Sequence, residues 1–74
     1  MTVDMMGNEL HEGDKVHWFD EEFYSNDYTD EEREEQHGRV WTISYLCELN
    51  DDMICISDEH GDAEVYADEV QLIN

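Results

Sequence analysis

The chain has 74 residues and a mass of 8.8 kDa, which is enough for one small domain. Its 22 acidic residues against 3 basic ones give a net charge of −19 at neutral pH. A patch for nucleic acid or anionic lipid needs clustered Lys and Arg, and the chain has only Lys15, Arg33 and Arg39. The composition therefore excludes direct binding to nucleic acid or to an anionic membrane surface.

The longest apolar run, from Met53 to Ile56, is far shorter than the roughly 20 residues that span a bilayer. The sequence also shows no apolar core of a signal peptide. We therefore expect a soluble, cytoplasmic protein. Apolar residues make up 39% of the chain, more than is usual for a disordered acidic tail, so we expect it to fold.

In chain order, residues 1–12 contain the pair Met5-Met6 and are expected to form a flexible N-terminal arm, unless the pair caps an open end of the core. Residues 13–74 are expected to form a single domain. Its first strand runs from Asp14 to Phe19, with Val16 and Trp18 on one face. An acidic insert follows at residues 20–37, where nine of the residues are Asp or Glu.

One short helix is predicted inside the insert. Thr29 and Glu32 have the spacing of a capping box, and Gly38 suits the C-terminal end of a helix. Like charges four residues apart, such as Glu31 and Glu35, oppose the helix, and no apolar stripe exists to dock it. We therefore expect about one and a half turns, partly frayed.

Strand composition returns after Gly38, and we predict strands at Arg39–Leu49, Met53–Asp58, Ala63–Ala67 and Val70–Ile73. Alternation places Trp41, Ile43 and Tyr45 on one face of the first of these strands. This row shares a core face with Ile54 and Ile56 only if the connecting loop near Asn50 has an even number of residues.

The same register predicts where the two cysteines point. Cys47 would face the core and Cys55 the opposite side, so the two could not form a disulfide within one chain. We therefore expect two reduced thiols, consistent with a reducing compartment.

Three stretches carry a resemblance to a known fold. They are Gly13-Asp14-Lys15-Val16, Gly38-Arg39-Val40 and the closing segment Asp68 to Ile73. Between about Gly13 and Ile73 the chain resembles SH3-like small β-barrels, in particular KOW-type modules. The resemblance implies a mainly β, five-stranded SH3-like barrel with a tight turn before the fifth strand, in which the acidic insert with its short helix replaces the first long loop.

The ligands of that fold family are not implied. The paired Trp and the Pro of the proline-rich-peptide groove are missing, and so are the basic residues with which KOW-type members grip ribosomal RNA. The resemblance therefore indicates a fold and leaves the partner open.

The acidic insert provides the functional hypothesis. Spread evenly, the net charge has about half the surface density of duplex DNA, so mimicry of DNA requires the clustering that the insert supplies. We expect a non-catalytic protein that occupies the cationic, nucleic-acid-binding surface of a partner protein, like the small acidic inhibitors that phages and mobile elements direct at host nucleases or defence complexes. The expected partner-binding residues are Asp20, Glu21, Glu22, Tyr24, Asp27, Tyr28, Asp30, Glu31, Glu32, Glu34 and Glu35.

An alternative is an accessory structural module of a larger assembly, in which the acidity serves solubility. Residues 1–10 or an outer face of Val40, Leu46 and Cys55 would then make the contact. The aromatic residues of the insert either pin it to the barrel or contact the partner.

No enzyme activity, metal or cofactor is expected. Nucleophile-elbow, phosphate-loop and zinc-protease motifs are absent from the sequence. The four histidines are widely separated, and no Cys-x-x-Cys or His-x-x-x-His spacing occurs.

Overall fold

The computed structural model describes residues 1–25, 27–47, 49–50 and 52–73 as a mainly β structure. Its five strands are β1 (Lys15–Trp18), β2 (Trp41–Leu46), β3 (Met53–Asp58), β4 (Gly61–Tyr66) and β5 (Val70–Leu72). They form one antiparallel sheet in the order β4-β3-β2-β1-β5. The remaining elements are 3₁₀ helices at Glu21–Tyr24 and Ala67–Glu69 and one α-helix, α1, at Asp30–Gly38.

The prediction of a mainly β, five-stranded fold with one short helix is confirmed. The tight turn expected before β5 is the second 3₁₀ helix, Ala67–Glu69. Among the described residues no pairing joins β4 to β5, so the sheet is open where a closed barrel was expected. None of the helices in this part of the chain has the length and apolar character needed to cross a bilayer.

The core lies on one face of the sheet. Val16, Ile56 and Val70 are fully buried, and Ile43 and Ile54 are nearly so. Trp41 packs beside them, and Trp18 meets it edge to face with 5.5 Å between ring centroids. The predicted inward faces of β1 and of the central hairpin are therefore confirmed, except near the end of β2.

A β-bulge between Ile43 and Tyr45 changes the register of the hairpin. Ile43 lies opposite Ile56, as predicted, but beyond the bulge Tyr45 lies opposite Cys55 and Leu46 opposite Ile54. The extra residue reverses the two faces, so Tyr45 is 51% exposed while Leu46 packs against the core.

The placement of Tyr45 in the core was therefore wrong. The number of residues between the paired Ile43 and Ile56 is even, as predicted. Beyond the bulge, the number between the paired Leu46 and Ile54 is odd, so the prediction of an even-numbered loop is wrong. Residues 48 and 51 of that loop lie outside the described part of the chain.

The bulge also corrects the positions of the cysteines. The N–H of Cys47 donates to the carbonyl of Met53, which places Cys47 diagonally across from Cys55 on the same face. Both are free thiols. Diagonal neighbours have Cα atoms about 7 to 8 Å apart, beyond the usual reach of a disulfide, so separation and not opposite orientation keeps them unpaired.

Residues 1–10 pack on the sheet, whereas the sequence suggested a loose arm. Leu10 is 1% exposed and joins the core, and its N–H donates to the carbonyl of Thr2. The segment doubles back through a turn at Gly7, whose φ of 83° favours glycine. The side chain of Asp4 accepts hydrogen bonds from the N–H groups of Met6 and Asn8 and fixes this turn.

Helix α1 begins where the capping box predicts. The N–H of Glu32 donates to Thr29 Oγ1, and the N–H of Thr29 donates to Glu32 Oε1. The helix has nine residues, about one turn more than expected. None of its residues is fully buried, so something other than an apolar stripe must hold it on the sheet.

Candidate partner-binding surface

The acidic insert is anchored by aromatic rings. Phe23 of the first 3₁₀ helix is 6% exposed and makes edge-to-face contacts with Trp18 and Tyr28, at centroid distances of 5.4 and 5.5 Å. Such pairs add to the burial of apolar area. Phe23 and the half-buried Tyr28 therefore pin the insert to the end of β1, whereas Tyr24 is 61% exposed.

His37 attaches the last turn of α1 to the same cluster. Its ring centroid lies 4.9 Å from that of Phe19 and 5.4 Å from that of Tyr24. Its Nε2 is buried and has no hydrogen-bond partner among the described residues. Burial, and then the positive charge of Arg33, lower the pKa of His37 below its ordinary value, which favours the neutral ring.

Arg33, one turn earlier, holds the helix to the first 3₁₀ helix. Its Nε donates to the carbonyl oxygen of Phe23, and its Nη1 lies 2.8 Å from Asp30 Oδ1. Its guanidinium carbon lies 5.6 Å from the ring centroid of Tyr24. These contacts, with those of His37, replace the apolar stripe that the sequence lacks.

The inward face of α1 consists of Arg33, Gln36 and His37, which are half-buried at helical spacing. The opposite face carries Glu31, Glu34 and Glu35, all exposed. In the part of the chain that the structure describes, no hydrogen bond or ion pair engages these three carboxylates.

The other predicted site acids divide into two groups. Three stabilise local structure: Asp20 accepts from the N–H of Glu22, Asp30 pairs with Arg33, and Glu32 caps α1. Three are exposed without such a role: Glu21, Glu22 and Asp27. We call the exposed, uncommitted set the acidic surface; its members are Glu21, Glu22, Asp27, Glu31, Glu34 and Glu35.

The few cations do not neutralise this surface. Arg39 pairs with Asp58 and lies 4.7 Å from the ring centroid of Trp41, and Lys15 donates to the hydroxyl of Thr42. Burial acts to raise the pKa of the Asp58 carboxyl. The hydrogen bond from the N–H of His60 and the interaction with the Arg39 side chain outweigh burial, and the pKa of Asp58 is lowered. Among the described acids, only Asp30 and Asp58 pair with an arginine.

A second acidic segment borders the acidic surface. Glu21 lines a surface depression together with Asp68 and Glu69 of the second 3₁₀ helix, between the rings of Phe19 and Tyr66. Glu69 also accepts a hydrogen bond from the indole of Trp18 at 3.2 Å. Sequence reasoning missed Asp68 and Glu69 because the sheet brings them to Glu21 from the far end of the chain.

The whole molecule has an accessible surface of 5044 Å² and a net charge of −19. Its average surface charge density is therefore a little under half that of duplex DNA.

Among the described residues no group of three or more His, Cys, Asp or Glu side chains is arranged to hold a metal ion. The chemistry that this surface offers is therefore that of exposed carboxylates beside exposed aromatic rings.

Comparison of the chain with models of protein families, with curated proteins and with solved structures found no match. The charge and geometry of its surface are therefore the basis for assigning a function.

Proposed function

We propose that this chain is a non-catalytic acidic protein that occupies the cationic, nucleic-acid-binding surface of a partner protein. The acidic surface supports the proposal, because its carboxylates are exposed and unpaired within the described residues. Three of them, Glu31, Glu34 and Glu35, are carried on a helix whose inward side chains hold it to the rest of the fold. Charges held in place by the fold lose less conformational entropy on binding than charges on a disordered tail.

In this role the carboxylates replace phosphates. Glu31, Glu34 and Glu35 would accept hydrogen bonds from Lys and Arg side chains, with Arg forks pairing in the bidentate manner. The net charge would speed the encounter, and added salt would weaken it. Tyr24, which is exposed and lies against Arg33 of α1, offers contact area at low entropy cost.

The biological role that we propose is that of a phage or mobile-element inhibitor of a host nuclease or defence complex. An SH3-like scaffold of the KOW type would here present an acidic insert in place of a basic nucleic-acid grip. Two free thiols fit a reducing, cytoplasmic setting.

The experiment compares two variants with the same net charge. The first carries Glu31→Gln, Glu34→Gln and Glu35→Gln; Glu32 is kept because it caps α1. The second carries Glu9→Gln, Glu12→Gln and Glu59→Gln, which are exposed acids outside the insert. Partners captured on the immobilised wild-type protein are identified by mass spectrometry, and their affinity for each variant is measured over a range of salt concentrations.

We expect the first variant to lose most of its affinity and salt dependence and the second to keep both. Captured partners should elute at about 0.5 M salt, because surface ion pairs are screened there. Equal affinity of the two variants would contradict a role for the acidic surface.

A second candidate function is the accessory structural module. Met6 is 67% exposed and Met5 is 40% exposed on the turn of the N-terminal segment, and Val40 is 53% exposed. Leu46 and Cys55, which the sequence suggested for this contact, are half-buried and buried. Partners held by the exposed apolar side chains would persist at about 0.5 M salt and would be lost with Met5→Ser and Met6→Ser.

A further inference from the structure

The two edges of the sheet differ in whether another segment of the chain covers their backbone groups. At the β5 edge, the N–H of Leu72 donates to Asp4 Oδ2 at 2.7 Å, and the N–H of Met5 donates to the carbonyl of Val70 at 3.0 Å. The N-terminal segment therefore covers that edge. At the other edge, β4 pairs with β3 alone among the described residues.

The hydrogen-bond pattern shows which backbone groups of β4 face outward. The N–H of Ala67 donates to the carbonyl of Asp52, which sets the phase of the β3–β4 ladder. Because the backbone groups of an antiparallel strand point alternately to its two sides, those of Ala63 and Val65 point to β3. Those of Asp62, Glu64 and Tyr66 point to the open edge.

The side chains along this edge decide what can pair with it. Asp62, Glu64 and Tyr66 are exposed. A second copy of the chain pairing here would bring acids close to acids, which is destabilising, and both copies carry a net charge of −19. A strand bearing Lys or Arg would instead place opposite charges side by side.

The edge also leads to the acidic surface. Tyr66, the last residue of β4, lines the depression that contains Glu21 and Phe19. A segment lying along β4 would therefore reach Glu21 of the insert, together with Asp68 and Glu69.

We propose that the open edge of β4 receives an extended segment of the cationic partner as a sixth strand. Lys or Arg side chains of that segment would lie beside Asp62 and Glu64, and an apolar side chain would pack on Tyr66. Backbone hydrogen bonds would supply affinity and the flanking side chains selectivity. The inference takes the positive charge of the partner from the proposed function. What it adds is that a segment of the partner pairs with β4 through backbone hydrogen bonds.

The test uses two synthetic probes of equal charge. One is a short peptide of alternating Lys and Val; the other has the same sequence with every internal amide N-methylated, so that it cannot pair as a strand. Affinity is measured by titration, and amide hydrogen exchange of the wild-type protein is followed by NMR.

We expect the unmethylated peptide to bind at least about tenfold more tightly, because it adds backbone hydrogen bonds. It should also slow exchange at the amides of Asp62, Glu64 and Tyr66. Equal binding of both peptides without this protection would overturn strand addition and leave the proposed function standing. Failure of both peptides to bind at low salt would contradict both.

A matched pair of variants gives a second measurement. Glu64→Pro removes one outward N–H and leaves the ladder to β3 intact, since proline is tolerated on an edge strand. Glu64→Gln removes the same charge and keeps the N–H. Peptide binding should fall much further in Glu64→Pro than in Glu64→Gln, and equal losses would contradict the inference. The methylated peptide tests the proposal even if Glu64→Pro does not fold.

Discussion

The imidazole ring of His37 lies 4.9 Å from the ring of Phe19, measured between centroids, and joins the last turn of α1 to the chain just after β1. The acidic face of the helix is presented in a fixed position because of this contact and that of Arg33 with Phe23. A polar residue and an aromatic cluster thus perform the docking that an apolar stripe performs in most surface helices.

This contact predicts how stability depends on pH. Burial and Arg33 lower the pKa of His37 from 6.5, so the unfolded chain binds a proton more readily than the folded one. The contribution of the neutral His37 ring to the free energy of unfolding is full above pH 6.5, the pKa of the unfolded chain. It is lost as the pH falls through 6.5 towards the lowered pKa of the folded chain. The free energy of unfolding, measured with urea, should therefore decrease between about pH 7.5 and pH 5.5.

The chain has three other histidines, so His37→Phe serves as the reference variant. It keeps the ring contacts and removes the proton site. We expect a smaller decrease for this variant than for the wild-type protein over the same range. Identical pH profiles would show that His37 is not the responsible group.

The capping box predicts the cost of a small change. Thr29→Ala removes the acceptor of the Glu32 N–H and should destabilise the protein by about 1 kcal/mol. Ser25→Ala, in the same exposed insert, leaves the capping hydrogen bonds unchanged. Urea unfolding of the two variants checks this, and an equal effect of both would contradict the assignment.

Asp4 is the buried polar group that ties the N-terminal segment to β5. It accepts hydrogen bonds from the N–H groups of Leu72, Met6 and Asn8. Asp4→Ala would leave these donors without their acceptor and should cost about 2 to 3 kcal/mol, whereas Glu12→Ala at an exposed position should cost little. Urea midpoints and hydrogen exchange at the Leu72 amide report the effect, and an unchanged midpoint would count against this role.

Asp4 also gives an expectation at acid pH. Burial acts to raise the pKa of this carboxyl, but the hydrogen bonds from Leu72, Asn8 and Met6 outweigh it and hold the pKa below 3.8. The contribution of the ionised Asp4 carboxylate to stability is therefore full above pH 3.8, the pKa of the unfolded chain. It is lost as the pH falls through the lowered pKa of the folded chain. The loss of stability on acidification below about pH 4 should be smaller in Asp4→Ala than in the wild-type protein.

The two thiols should differ in reactivity. Cys55 is 7% exposed, whereas Cys47, the residue after β2, is half-buried. A disulfide reagent should therefore modify Cys55→Ser, which retains Cys47, faster than Cys47→Ser, by on the order of tenfold. The difference should vanish in denaturant, and equal rates in the folded state would show that the burial of Cys55 is not protective.

The features that could be predicted from the sequence are those set by neighbouring residues. The capping box of Thr29 and Glu32 is a local hydrogen-bond pair, so its position is visible in the sequence. The alternation of β3 marks Ile54 and Ile56 as core residues because a strand has two faces. The acids of the insert follow from composition alone.

The features that could not be predicted depend on distant contacts. The bulge after Ile43 has no glycine to signal it and allows Leu46 to pack on the core. The role of Asp4 requires Leu72, near the other end of the chain, and the docking of α1 requires aromatic rings from the chain that follows β1. In each case the position of the residue depends on tertiary packing, which the propensities of neighbouring residues do not determine.

The central claim is that the acidic surface takes the place of nucleic acid on a cationic partner. Displacement of labelled nucleic acid from the captured partner measures this most directly. The wild-type protein and the Glu9, Glu12 and Glu59 variant should release the nucleic acid at low salt, whereas the Glu31, Glu34 and Glu35 variant should not. Nucleic acid that stays bound at saturating wild-type protein, or that is released equally by all three, would contradict the claim.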